Sequence, residues 1–293
     1  MRKKCTVISD QTGSSLIAVA LFVTAMGLLT AAGLQTYRQY NQTHSLIETQ
    51  EKLENLRATL INYYSQNGRF PCPASLVAPA NDASFGREAL SPCNTASGGG
   101  GGWGWEGGSW GYHTQGPGGP GPGGPTHPTH STHNPHGGWG NSDAEIDATG
   151  TVRATGDMGK KIRIGALPTR VLNLPDTDSV DGYGHRIIYA VVEQMTLANA
   201  ASVTNPGAIE IEDRNGNHAS NAMVVLFSHG GDEAGAWDIN GVPLRPCDDD
   251  TLAGDNCDYD GDFVNTISKS ESANDSYFTH RLVYIAPDIA GKN

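Results

Sequence analysis

"QTYRQYNQTHSLIETQEKLENLRATLINYYSQNG", residues 35–68, holds no proline and no glycine before Gly68. Leu46, Leu53, Leu56, Leu60 and Tyr63 recur at steps of seven, three, four and three, the stripe of an amphipathic helix. Glu48 and Lys52 occupy other faces. Gly68 stops the pattern, and Pro71 and Pro73 prevent its resumption. Upstream, no residue from Gln11 to Tyr37 carries a formal charge, and Leu16 to Leu34 is dominated by Leu, Ile, Val, Ala, Phe and Gly. That length suits a bilayer crossing of ~20 helical residues. The simplest expectation is one helix of roughly 50 residues, with a transmembrane half at 14–34 and an amphipathic half at 35–67. Two separate helices are the competing reading.

The basic start Met1-Arg2-Lys3-Lys4 orients such a span with its amino terminus in the cytoplasm and the rest outside. The 293 residues carry a net charge of −12 and only 37% hydrophobic residues, some of them in the span. The remainder supports one modest globular domain. This acidity argues against nucleic acid as a partner, because phosphate binding needs clustered Lys and Arg.

From about Thr151 the chain turns strand-like. "KKIRIGALP", "HRIIYAVVE", "GAIEIED", "AMVVLFSHG" and "THRLVYIAPDIA" are short runs rich in Val and Ile, most of them bounded by Gly, Pro, Asp or Asn. "DRNGN", Asp213 to Asn217, reads as a hairpin turn centred on Asn215-Gly216. Strands following one long helix imply an α+β domain with an antiparallel sheet, and that sheet is the expected partner of the helix stripe.

Residues 97–140 differ completely, being built mostly from Gly, Pro, His, Thr and Trp. So little aliphatic surface cannot offset the entropy of ordering, so a disordered or extended insertion is expected. His127, His130, His133 and His136 recur every third residue among prolines. A polyproline II helix would align them on one face at roughly 9 Å, a possible transition-metal set but too wide for neighbours to chelate unaided.

Cys5 lies in the basic leader, whereas Cys72, Cys93, Cys247 and Cys257 follow the span. Four cysteines in an oxidising compartment read as two disulfides with three possible pairings; short loops favour Cys72–Cys93 and Cys247–Cys257. Zinc is the alternative, without a C-x-x-C pair to support it. "CDDDTLAGDNCDYDGDF", residues 247–263, places seven aspartates in fifteen residues without a Lys or Arg. Asn256, Asp258, Asp260, Gly261 and Asp262 fit the first half of a calcium loop, but Ile267 stands where the bidentate Glu belongs.

No G-x-S-x-G, H-E-x-x-H or G-x-x-x-x-G-K motif occurs, so no enzymatic activity is expected. Ser228-His229 at a strand end and Asp181 with His185 in a turn read as structural residues.

A basic leader ending in Gly13, then Ser14-Ser15-Leu16-Ile17 and a hydrophobic helix, resembles the type IV pilin and type II secretion pseudopilin family. "SQNGRFPCPA" (65–74) is similar to the segment leaving the long helix in large members. "LPDTDSVDGYGHRIIYAV" (174–191) resembles their Asp-x-Trp-Gly-x-x-x-x-Tyr stretch, with Tyr183 in place of Trp, and "VVLFSHGGDEAGAW" (224–237) the strand that follows. The resemblance implies prepilin peptidase cleavage between Gly13 and Ser14 and methylation of the new terminus. It also implies a single-pass inner-membrane anchor with a periplasmic head (68–293), or assembly with other pilin-like subunits into a filament. A structural calcium near the carboxyl-terminal loop is implied as well. Ala18 stands where major subunits carry Glu, which favours a minor or tip role. Other readings of the amino terminus are a secretory signal cut near Ala32, or an uncleaved anchor. The alternative function is a secreted or membrane-anchored surface module collecting metal ions through its His and Asp segments.

Overall fold

The computed structural model describes residues 12–90, 93, 146–213, 217–231, 233–246, 256–265 and 280–287. Its largest element is a single α-helix, α1, Thr12–Asn67, of 56 residues. Gly68 ends it as expected, with φ +67° and its N–H donating to the Tyr64 carbonyl at 2.8 Å. A left-handed residue at this position satisfies a terminal carbonyl at no steric cost only for glycine. The two-helix alternative is excluded by this continuity.

The halves of α1 differ in burial. Leu53, Leu56 and Leu60 are fully or nearly fully buried, as is Thr49, whereas Leu46 and Tyr63 are half-buried. Toward the amino terminus, Ile17, Val19, Leu21, Phe22, Val23, Met26, Leu28 and Leu34 are all exposed. Thr24 and Thr30 turn their hydroxyls onto the carbonyls of Leu21, Met26 and Gly27 within the same helix. The transmembrane half expected at 14–34 is not shown: among the described residues, no helix is long and apolar enough to cross a membrane.

Five strands form an antiparallel sheet in the order β1-β2-β3-β6-β8: β1 Val152–Thr155, β2 Lys161–Ala166, β3 Ile188–Val192, β6 Val224–Ser228 and β8 Arg281–Ile285. The central strands β3 and β6 are buried at every position, so both faces of the sheet are covered. A continuous Val/Ile run without polar alternation is the sequence correlate. α1 lies across β8 and β6, and its three leucines join one core with Tyr189, Leu226 and Val283.

A second sheet, order β5-β4-β7, comprises β4 Ile209–Asp213, β5 His218–Ala222 and β7 Asp262–Asn265. β4 and β5 pair antiparallel across the expected hairpin; its central turn residues lie outside the described set. The expectation of one antiparallel sheet needs correcting here, because β7 pairs parallel with β4. Short polar strands such as "DFVN" carry too little Val/Ile signal to be recognised, and parallel pairing depends on a distant return of the chain.

Candidate functional site: the seat of the long helix

The turn Asp181-Gly182-Tyr183-Gly184-His185 packs against α1 just beyond its exposed half. The Gly182 N–H donates to Thr49 Oγ1 at 3.0 Å, and the Lys52 ammonium donates to the Val180 carbonyl at 2.7 Å and to that of Thr177 at 3.4 Å. Tyr183 donates its hydroxyl to the Gln42 carbonyl at 3.4 Å. Gly182 is required by contact: a Cβ there would meet the Ser45 carbonyl oxygen at 2.4 Å. The collar therefore grips residues 42–52, within the stretch 35–67 of α1 that holds no glycine or proline.

Beneath the collar lies a buried polar group. Asp181 receives the Ser228 hydroxyl at 2.5 Å and the amides of Tyr183 and His185 at 2.8 and 2.9 Å. Burial raises its carboxyl above the usual range, opposed by those hydrogen bonds. His185 donates from Nδ1 to the Gly230 carbonyl at 2.8 Å. Ser228 thus donates to a carboxylate rather than to an imidazole, and its hydroxyl is fully buried. The arrangement joins the collar to the end of β6 and lacks the nucleophile–base hydrogen bond of covalent catalysis. Asp181 and His185 do meet in a turn, as their spacing suggests; Asp181 N–H also donates to the His185 carbonyl.

Cys72 and Cys93 are joined by a disulfide, as loop length favours. Cys257 is also disulfide-bonded, while Cys247 lies outside the described residues. His127, His130, His133 and His136 lie outside them too. Gly13 and Ser14 fall in the first turn of α1.

Asn256, Asp258, Asp260 and Asp262, grouped from sequence as calcium ligands, lie in the turn that leads into β7 and at that strand's first residue. Asn256 donates Nδ2–H to the Val264 carbonyl at 3.0 Å and accepts the Val264 N–H at 2.7 Å, so its side chain pairs like a strand with β7. Asp258 accepts from Asp260 N–H, and Asp260 from Asp262 N–H. These are local turn and edge contacts, which Asn and Asp make readily. Gly261 does supply the expected turn, at φ +109°. The Asp262 residue is exposed, yet packing around its carboxyl, then the charges of Asp260, Glu210 and Asp157, push it up to about 6. Among the described residues, no three His, Cys, Asp or Glu side chains converge closely enough to hold a metal ion.

Sequence reasoning passed over two buried arginines. Arg186 donates to the carbonyls of Ser75, Ala78, Asp238 and Ile239 over the Phe85 ring, and burial lowers it to about 10. Arg163 is paired with Asp147 and Glu193. An arginine within a Val/Ile run is the available signal, because a strand buried on both faces must pair any cation it carries.

Compared with known proteins, the chain matches no family model, no curated protein and no solved structure.

Proposed function

We propose that this chain is a pilin-like subunit of a type II secretion or type IV pilus-type system, in a minor or tip position. The observation that carries the reading is the division of one unbroken 56-residue helix. Its carboxyl-terminal half is seated on the sheet and held by the Gly182 collar, while its amino-terminal half presents Ile17, Leu21, Phe22 and Leu28 without cover from the head. An apolar helix left outside its own domain needs lipid or other helices to take it from water. Ala18, Ala20 and Gly27 permit close helix approach in a membrane, where packing drives association. The hydroxyls of Thr24 and Thr30 are satisfied within the helix, as a lipid environment requires. In this reading the head stands in the periplasm and the helix is both anchor and assembly surface. Ala18 cannot form the buried ion pair that a Glu there would offer, which supports a minor role over a major one.

The test is the intact mass and amino-terminal sequence of the protein from its native membrane. A mature chain starting at Ser14 supports the reading. A start beyond Ala31, or an intact Met1, overturns prepilin processing.

A further inference from the structure

Tyr37, Tyr40, His44, Ile47 and Glu51 follow one another along α1 at steps of three, four, three and four, so they share one face of the helix. That face points away from the seat: Thr49, Leu53 and Leu60, buried against the head, lie about half a turn round from it. Tyr37, Tyr40 and Ile47 are 64, 67 and 55% exposed. The same alternation, carried back through Gly33 and Thr30, reaches Met26, Val23 and Val19, and these last three are exposed as well. Lipid alone does not cover the whole stripe. Ile47 lies nine residues, or ~14 Å, beyond Arg38, the first charge after the uncharged run, and Glu48 and Glu51 adjoin it. At Glu51 the stripe meets a groove of about 250 Å³ between α1 and the segment around Leu174 and Asp178. Glu48, Glu51 and Asp178 bring carboxylates to it, and Leu56 and Leu174 bring apolar surface. The ammonium of Lys52, also in its lining, is drawn onto the Val180 and Thr177 carbonyls. The groove therefore has negative charge in excess.

We infer that this face, from Tyr37 to the groove at Glu51, is a docking surface for an α-helix of a different subunit, which lays apolar side chains on Tyr40 and Ile47 and sends a Lys or Arg into the groove. Alternating steps of three and four average to the period at which two helices stay in contact along their length. A helix is thus the shape that fits the stripe. A Lys or Arg side chain fits the groove, because its stem is apolar and its tip charged. The stem would lie on Leu56 and Leu174 while the tip meets the carboxylates, whose hydrogen bonds to a cation are the strong kind. A second copy of this chain lacks that complement. Side by side and parallel, it would set Glu51 next to Glu51, and like charges on neighbouring helix positions repel. Antiparallel, it would lay its uncharged amino-terminal half along the charged end of its neighbour. The inference rests on the subunit reading only in that α1 meets other chains; the face and the partner's charge come from the stripe and the groove.

The experiment places single cysteines in the full chain and labels them with a maleimide in native membranes, reading each site by peptide mass. Tyr37→Cys, Tyr40→Cys, His44→Cys and Ile47→Cys lie on the stripe, and Asn41→Cys and Thr43→Cys beside it; all six positions are exposed in the free chain. The expected result is labelling several-fold slower on the stripe than beside it. Adding Glu51→Lys is expected to restore the fast rate at Tyr40→Cys and Ile47→Cys, with the melting temperature held within about 3 °C because Glu51 is a surface residue. Fast labelling at all six sites shows a free surface and overturns the inference, as does equally slow labelling at all six, which lipid would give. Protection that survives Glu51→Lys overturns the cationic partner. Oxidation of Ile47→Cys to a species of twice the chain's mass identifies a second copy and overturns the different subunit. The amino-terminal sequence of the same sample keeps the two readings apart. A start at Ser14 without periodic protection sinks the docking face alone; periodic protection on a chain that keeps Met1 supports the face while prepilin processing falls.

Discussion

His229 is fully buried at the end of β6, with ring centroids of Phe227, His280 and Tyr259 at 4.6, 5.4 and 6.3 Å. Burial, then the nearby His280 and His185, hold its pKa well below the ordinary histidine value, opposed by a hydrogen bond with the Ala234 backbone. The unfolded chain therefore binds a proton at His229 that the folded one does not, and folding loses stability as pH falls below about 6.5. Asp262, raised to about 6, acts in the opposite sense: below that value the folded chain takes up the extra proton and is favoured. Asp181, also raised by burial, adds to this opposing contribution. Melting temperature measured from pH 7.5 to 5 in the parent and in His229→Gln separates the effects. The variant is expected to lose less between the two ends of the range; an unchanged pH profile would remove His229 as the acid-sensitive group.

At the scale of elements, the contact between α1 and the sheet decides whether the long helix has a fixed exit. Leu53 is fully buried against the core, so Leu53→Ala should cost about 2–5 kcal/mol. Gly182→Val leaves that core intact but drives a side chain into the Ser45 carbonyl. It is expected to loosen the helix around residues 42–49 while the sheet amides stay protected, as hydrogen exchange resolved along the chain would read. Equal loss of protection in β3 and β6 would show that collar and core are one unit. The helix and the main strands were legible because their signals are local: Leu53, Leu56 and Leu60 share a helical face, Gly68 ends it, and β3 and β6 are unbroken apolar runs. The collar was not legible, since Thr49 and Lys52 look like ordinary solvated helix residues until the chain returns more than a hundred positions later. Nor was the pairing of the Asn256 amide with β7. Its spacing with three aspartates resembles a cation loop, and only the placement of Val264 beside it shows what its amide pairs with.

For the molecule as a whole, a net charge of −12 and the fully buried Tyr189, Phe227 and Val224 describe an acidic chain whose core is organised around the five-stranded sheet, with a second, three-stranded sheet in the same head. In the proposed reading, its contacts with other subunits are made through α1. The side-chain pairing at β7 bears on this division. Val264 and Asp262, alternate residues of that strand, give their N–H groups to Asn256 and Asp260, so the free side of β7 is already occupied by the chain's own side chains. Strands with bare edges recruit their like, and crowding identical subunits on a common support would make that hazard acute. Asn256→Ala should accordingly raise thioflavin-positive aggregation of the concentrated protein while the melting temperature falls by only a few degrees; aggregation unchanged would mean the edge is protected by other means. With that flank occupied, β7 has few bare N–H groups left to offer the strand of another molecule.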